Sequence, residues 1–96
     1  MTIRELTNKF KNAPNDTNLA RDIELYVNVT FVPEDPLAKY TIVEDETGRL
    51  EAVPKNKEIF HFLKSQSASS RKLKLKGRLD KTEFGNTAFL IEEILN

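Results

Sequence analysis

The chain contains no cysteine, and only three of its 96 residues are glycine. The absence of cysteine excludes disulfides, thiol catalysis and zinc sites built on thiolates, and it suits a reducing compartment. Three glycines are too few to build the glycine-rich loops that surround the phosphates of a nucleotide. Composition alone therefore excludes disulfide-stabilised scaffolds and enzymes that depend on a phosphate-binding loop.

Long apolar runs are absent as well. The N-terminal segment, Met1 to Leu6, has neither the apolar centre nor the small-residue cleavage pattern of a signal peptide. No stretch of the sequence is long and apolar enough to span a bilayer as a helix. We therefore expect a cytoplasmic protein with no membrane contact.

The chain also lacks an excess of either charge, because fifteen basic residues balance fifteen acidic ones. A neutral protein exerts no long-range attraction on a polyanion, so a nucleic-acid function would depend on local segregation of charge. Such segregation is present. Residues 71–78 carry five positive charges and no negative one, whereas residues 44–46 and 92–93 are acidic.

Side chains suited to catalysis or metal binding are sparse. His61 is the only histidine, and its position between Phe60 and Phe62 is more typical of a surface residue than of a catalytic base. No G-x-S-x-G motif surrounds a serine, and the spacing of the acidic residues 44–46 does not match a calcium loop. The sequence therefore predicts a protein that is not an enzyme and needs no cofactor or metal.

The length of the chain predicts a single domain over residues 1–96, which is long enough for one core. Thr2 and Glu5 fit a capping box, and Ile3, Leu6 and Phe10 fall on one helical face. This pattern predicts a helix over residues 2–13, within an N-terminal segment 1–14. Its single apolar stripe needs a partner surface, and the nearest one available is the rest of the chain.

Strict alternation predicts a first strand from Asp22 to Val32, with Tyr26 on its outer side. The opposite, core-facing side comprises Ile23, Leu25, Val27, Val29 and Phe31. Further strands are predicted at about 39–45 and 49–53, from Leu73 to Leu79 and from Ala88 to Leu95. A short helix after Pro54 carries Ile59, Phe60 and Leu63 as its buried stripe.

The segment from Tyr40 to Val53 has the pattern of a strand, a tight turn and a second strand. Asp45 is placed to accept hydrogen bonds from the amides ahead of it, and Gly48 is placed to supply a left-handed residue that closes a bulged turn. With this motif and the order of its elements, residues 22–95 resemble the OB-fold, in particular its anticodon-binding and replication-protein-A-like branches.

The resemblance implies a mainly β fold: a five-stranded Greek-key barrel with one helix between strands three and four. The N-terminal helix lies outside the resemblance and is expected to cover an open part of the barrel. An SH3-like small barrel is the alternative, but it lacks a helix at that point of the chain.

OB-folds of this kind bind single strands across the outer face of strands two and three, by base stacking and phosphate neutralisation. Tyr40 is similar in position to the base-stacking aromatic of anticodon-binding domains. Tyr26 is expected near Lys74 or Lys76 on the neighbouring strand. The candidate nucleic-acid-binding residues are Tyr26, Lys39, Tyr40, Arg49, Lys74, Lys76, Arg78 and Phe84.

Each candidate also has a purely structural interpretation. Tyr40 would then be a half-buried barrel residue, and Tyr26 a surface residue that packs on lysine stems. The basic stripe of the fourth strand would be a solvated face, balanced by Glu24. This stripe consists of Lys72, Lys74, Lys76 and Arg78. Phe84, at the tip of the last hairpin, would fold back under its loop.

We therefore expect a protein that binds single-stranded DNA or RNA, or an accessory subunit of a complex that processes them. The alternative is an OB module for protein–protein interaction without nucleic-acid contact, which zero net charge favours. The stripe of Ile3, Leu6 and Phe10 would then dock on a protein partner or on a second copy of the chain. A barrel that binds a small molecule or peptide is a third hypothesis.

Overall fold

The computed structural model describes residues 1–12, 21–35, 40–66, 71–81 and 87–95. The elements in chain order are helix α1 (Ile3–Asn12), strands β1 (Ile23–Phe31), β2 (Thr41–Asp45) and β3 (Gly48–Pro54), helix α2 (Lys57–Gln66), and strands β4 (Leu73–Lys81) and β5 (Thr87–Ile94). The predicted class and element order are confirmed. Neither α1 nor α2 has the length and apolar character that a membrane-spanning helix requires.

The five strands close into a barrel in the order β1-β2-β3-β5-β4, which is consistent with an OB-like fold. Strand β1 pairs antiparallel with two neighbours: Val29 lies opposite Val43 of β2, and Val27 lies opposite Leu73 of β4. Strands β3 and β5 run in parallel. Closure therefore pairs each described strand on both sides, and β1 lies between β2 and β4.

The hydrophobic core fills the barrel interior, because alternate residues of each strand point inward. Its fully buried members from the strands include Leu25, Val27, Val43, Leu75, Phe89 and Ile91. Thr41 is the one polar residue buried among the described residues, and its hydroxyl donates to the carbonyl oxygen of Ala52 at 3.0 Å. A hydroxyl with a partner is tolerated in an apolar interior, so this position does not weaken the core.

Helix α2 packs against β3 and β5. The side chain of Asn56 caps its N-terminus by accepting a hydrogen bond from the amide of Ile59 at 2.9 Å. Phe60 and Leu63 are buried, and Ile59 packs against the core. The predicted apolar stripe of this helix is confirmed.

Helix α1 packs on its own barrel. Ile3 and Leu6 are buried in the core, and Phe10 packs against the core while half-buried. The expectation that this helix packs on the barrel is confirmed, but the described strands themselves close the barrel and leave no gap between strands for the helix to fill. Ile3 and Leu6 are therefore not on the surface, where the interaction hypothesis had placed them.

A capping box begins α1, as predicted, but only half of it has the expected geometry. The amide of Glu5 donates to the Thr2 hydroxyl at 3.1 Å, and the amide of Leu6 donates to the Thr2 carbonyl at 3.0 Å. The Glu5 carboxylate accepts from the Thr2 hydroxyl at 3.2 Å instead of reaching back to a backbone amide. Two further amides in the first turn need partners from outside the helix.

Those partners come from the turn between β2 and β3. The Asp45 carboxylate accepts from the amide of Ile3 at 2.8 Å, and the Thr47 hydroxyl accepts from the amide of Arg4 at 3.0 Å. A carboxylate at a helix N-terminus also interacts favourably with the helix dipole. The turn therefore fixes the helix to the barrel through the polar groups that a helix start leaves free.

The same carboxylate holds the turn itself together, as predicted, because Asp45 accepts from the amide of Thr47 at 2.8 Å. Asp45 and Gly48 lie opposite each other and enclose a two-residue connection. The prediction of a left-handed Gly48 is wrong, since its φ lies outside that region. A side chain supplies the hydrogen bonds of this turn, so the backbone does not need a left-handed residue.

Partial burial of the Asp45 carboxylate opposes its ionisation, but hydrogen bonds outweigh this effect. They come from the Thr47 hydroxyl and from the backbone amides of Ile3, Thr47 and Gly48, and they lower the pKa of Asp45 below its ordinary value of 3.8. A carboxylate with a lowered pKa stabilises the fold when it is ionised. That stabilisation is lost as the pH falls through the folded-state pKa.

Gly77 lies where β5 leaves no room for a side chain on β4. A Cβ atom added there would lie 1.9 Å from the carbonyl oxygen of Leu90, which is far inside van der Waals contact. The register between the two strands shifts at the same point, between Lys76 and Gly77. Only glycine therefore fits this position unless the backbone moves.

The variant Gly77→Ala is expected to lose about 3 kcal/mol or more of unfolding free energy, because the added methyl group meets backbone atoms rather than a side chain that can yield. Gly48→Ala is the matched control, since a Cβ there would meet Cγ2 of Ile3 at an ordinary 3.8 Å. It should stay within about 1 kcal/mol of the parent protein. Urea unfolding followed by circular dichroism measures both, and equal losses would contradict the close approach.

The variant Asp45→Asn is expected to cost about 1–2 kcal/mol of unfolding free energy at neutral pH, through weaker bonds to the helix and the turn. Because the pKa of Asp45 is lowered, this difference should shrink as the pH falls below about 4. Asp80→Asn, which alters an exposed carboxylate, is the control and should cost under about 1 kcal/mol. Urea unfolding at several pH values measures the effect. A loss that is equal at pH 3 and pH 7 would show that the charge of Asp45 plays no part.

Candidate nucleic-acid interface

An extra residue interrupts the alternation of β1. Val29 lies opposite Val43, but Phe31 lies opposite Ile42, so Thr30 has no counterpart on β2. This is a β-bulge, and the Thr30 hydroxyl donates to the carbonyl of Ile42 at 3.3 Å. One extra residue in a strand moves every side chain that follows it to the opposite face of the sheet.

The bulge turns Phe31 to the outside of the barrel, where 43% of it is exposed. The prediction that Phe31 faces the core is therefore wrong. Its ring stacks on that of Tyr40, with centroids 5.5 Å apart and planes 23° apart. Tyr40 directly precedes β2 and is 41% exposed. We call these two rings the aromatic pair.

Aliphatic side chains continue this surface across the barrel. Ile42 lies opposite Phe31, and Val53 of β3 lies opposite Leu90 of β5. Each of the three is half-buried and follows a buried residue, so each lies on the outer side of its strand. Tyr40 directly precedes Thr41, whose partner on β3 is Ala52, the residue before Val53. The outer apolar band comprises Phe31, Tyr40, Ile42, Val53 and Leu90.

Tyr26 lies further back along the outer side of β1, with 58% of it exposed. It is opposite Lys74 of β4, as the sequence predicted. The Lys72 ammonium lies 5.4 Å from the centroid of the Tyr26 ring, within the range of a cation–π contact. Tyr26 therefore combines an exposed ring with two neighbouring lysines.

The predicted basic stripe of β4 exists, because the residues between its members are buried. Acidic side chains accompany it. The ion pairs are Lys72–Glu46 at 2.9 Å, Lys74–Glu24 at 3.6 Å, Arg78–Asp80 at 3.7 Å and, on β2 and β3, Arg49–Glu44 at 3.3 Å. Lys76 lies between Glu24 on β1 and Glu93 on β5. The surface is therefore close to neutral, and Glu24 is a balancing group as the structural interpretation proposed.

The Lys72–Glu46 pair is the shortest of these ion pairs. The hydrogen bond from Lys72 lowers the pKa of Glu46, and the hydrogen bond to Glu46 raises the pKa of Lys72. Both groups therefore remain charged across the neutral range. Exposed pairs of this kind contribute little to stability, so the pair can exchange partners when a phosphate approaches.

The predicted site residues do not all come together. Tyr40 lies at the end of β1, beside Phe31, whereas Arg78 lies near the start of β1, since Gly77 is opposite Ile23. Arg49 lies opposite Glu44, at an intermediate level. Lys39 and Phe84 fall outside the described residues, so their predicted roles remain predictions.

Phe31 is the residue that sequence reasoning missed. The alternation from Ile23 to Val29 is regular, and nothing in the residue types marks Thr30 as a bulge. Pro33, two residues after Phe31, signals only that the strand ends.

Among the described residues, no group of three or more His, Asp or Glu side chains is placed to hold a metal ion.

Comparison with known proteins adds no identification. No protein-family model matches the chain, and no curated protein matches it.

Proposed function

We propose that the protein binds single-stranded nucleic acid across the outer face of β1, β2 and β3, without catalytic activity of its own. The aromatic pair is the observation that carries this proposal. Phe31 and Tyr40 are each more than 40% exposed, and their stacked rings form an aromatic surface on which an unpaired base can stack. Bases in a duplex are already stacked, so the surface favours single strands.

Tyr26 provides a second stacking position on the same strand. It precedes Phe31 by five residues, which corresponds to about 16 Å along a strand. Asn28 and Thr30 lie between them on the outer side of the strand. The distance fits a short single strand, within the roughly 4–16 nucleotides that an OB-fold contacts.

Stacking supplies most of the affinity in this proposal, because the cations of the surface are already paired with carboxylates. Phosphates would exchange with Glu24 or Glu46 for contact with Lys74 or Lys72. An exchange of partners changes the electrostatic energy less than a new ion pair does. Binding should therefore weaken only gradually as salt rises. We place this activity in the cytoplasm, as a binding protein or an accessory subunit.

The second candidate is a module for protein–protein interaction. The outer apolar band favours it, because a contiguous apolar surface beside balanced charges also suits a protein partner. The partner would dock on this band and not on the apolar stripe of α1, since Ile3 and Leu6 are buried.

Replacing Tyr40 or Phe31 with leucine is expected to weaken binding of single strands by about 5- to 150-fold, the equivalent of roughly 1–3 kcal/mol for one lost base stack. Leucine keeps apolar bulk but has no flat π face. Phe62→Leu is the matched control, because Phe62 is 37% exposed on α2 and is not part of the outer apolar band, so its replacement should leave binding unchanged. Fluorescence anisotropy with labelled DNA and RNA oligonucleotides of about 20–30 nucleotides measures the affinities.

The same titrations, run across a salt series with duplex as competitor, separate the two functions. If the parent protein binds no oligonucleotide at low salt, the nucleic-acid proposal is wrong and the protein-interaction candidate takes its place. If it binds and Tyr40→Leu binds equally well, the aromatic pair is not the stacking surface. Thermal unfolding of each variant shows whether a loss of binding reflects a loss of fold.

A further inference from the structure

Lys72, which forms an ion pair with Glu46, holds its ammonium group over the Tyr26 ring. Strand β1 brings these groups together, because Asn28 is opposite Glu44 on β2 while Tyr26 is opposite Lys74 on β4. The turn that follows β2 therefore comes level with Tyr26. From this turn Glu46 reaches Lys72 at 2.9 Å, and the Lys72 ammonium lies 5.4 Å from the Tyr26 ring centroid.

This arrangement occupies one face of the ring that the proposed function uses. A base that stacks on that face has to displace the Lys72 ammonium, and a phosphate beside it meets the negative charge of Glu46. The Glu46 side chain is 68% exposed, so water screens its charge but does not remove it. Lys72 is thus present at the surface, and Glu46 holds it in a position where it blocks the ring.

We propose that Glu46 limits the affinity of this surface and sets its selectivity, by holding Lys72 over the Tyr26 ring until a ligand supplies both a base and a phosphate. The proposal rests on the function proposed above. A single strand offers both groups, because a base replaces Lys72 on the ring while a phosphate replaces Glu46 on Lys72. A duplex or another polyanion offers only the phosphate, and Glu46 therefore disfavours it.

The test is the variant Glu46→Gln, which keeps the size and hydrogen-bonding capacity of the side chain but removes its charge. Single-strand affinity is expected to rise about fivefold at low salt, the size of one unit-charge interaction at about 4 Å in water. The salt dependence should steepen by about one ion, because the charge of Glu46 no longer competes with a phosphate for Lys72. Affinity for duplex and for heparin should rise by a larger factor than affinity for single strands.

Glu58→Gln is the charge-matched control, since Glu58 is an exposed carboxylate in the first turn of α2. It changes the net charge equally and should have little effect on binding. In a Lys72→Gln background, Glu46→Gln should lose most of its gain, because the cation that it releases is gone. The proposal is wrong if Glu46→Gln and Glu58→Gln change the affinity equally. It is also wrong if Glu46→Gln raises the affinity by the full factor in the Lys72→Gln background.

A measurement without ligand checks the ion pair independently of binding. The Tyr26 ring should shift the NMR signals of the Lys72 side-chain protons upfield in the parent protein, and Tyr26→Leu should abolish the shift. The shift should also diminish in Glu46→Gln. If it stays unchanged, Glu46 does not hold Lys72 and the proposal fails.

Failure of this proposal can be told apart from failure of the proposed function. Binding by the parent protein that depends on Tyr40, together with an ineffective Glu46→Gln, overturns only the role of Glu46. Absence of oligonucleotide binding in the parent and in Glu46→Gln overturns both.

Discussion

The Asp45 carboxylate is the interaction on which the rest of the structure depends. One of its oxygens closes the turn between β2 and β3, and the other accepts the first free amide of α1. The turn sets the register of β2 against β3, and the helix places Ile3 and Leu6 in the core. A single ionised group thus links the chemistry of the turn, the packing of α1 on the barrel and the pH dependence of stability.

The fold could be predicted from the sequence to the extent that its elements are regular. Strict alternation locates β1, the charge alternation of β4 locates its inner leucines, and Thr2 with Glu5 locates the start of α1. Periodicity fails where a strand contains one residue too many, because the bulge at Thr30 changes no residue type. That single position decides whether Phe31 belongs to the core or to the surface.

The candidate site was less predictable for a related reason. The residue types indicated that Tyr26 and the lysines of β4 would be neighbours, since both follow from strand alternation and strand order. The pairing of Lys72 with Glu46 depends on the shear of the barrel, which brings a distant turn level with β4. The sequence shows which residues are charged but not how the strands are offset from one another. The near-neutral surface could therefore be recognised only from the structure.

The double pairing of β1 has a consequence for how the surface forms. Tyr26 and Lys74 lie opposite each other but are roughly fifty positions apart in the chain, so their meeting carries a large loop-closure entropy. The hairpin of β2 and β3 needs only a short loop and forms at little entropic cost. The continuity of the aromatic and cationic surface therefore depends on pairing between distant segments of the chain, whereas the hairpin depends on local pairing alone.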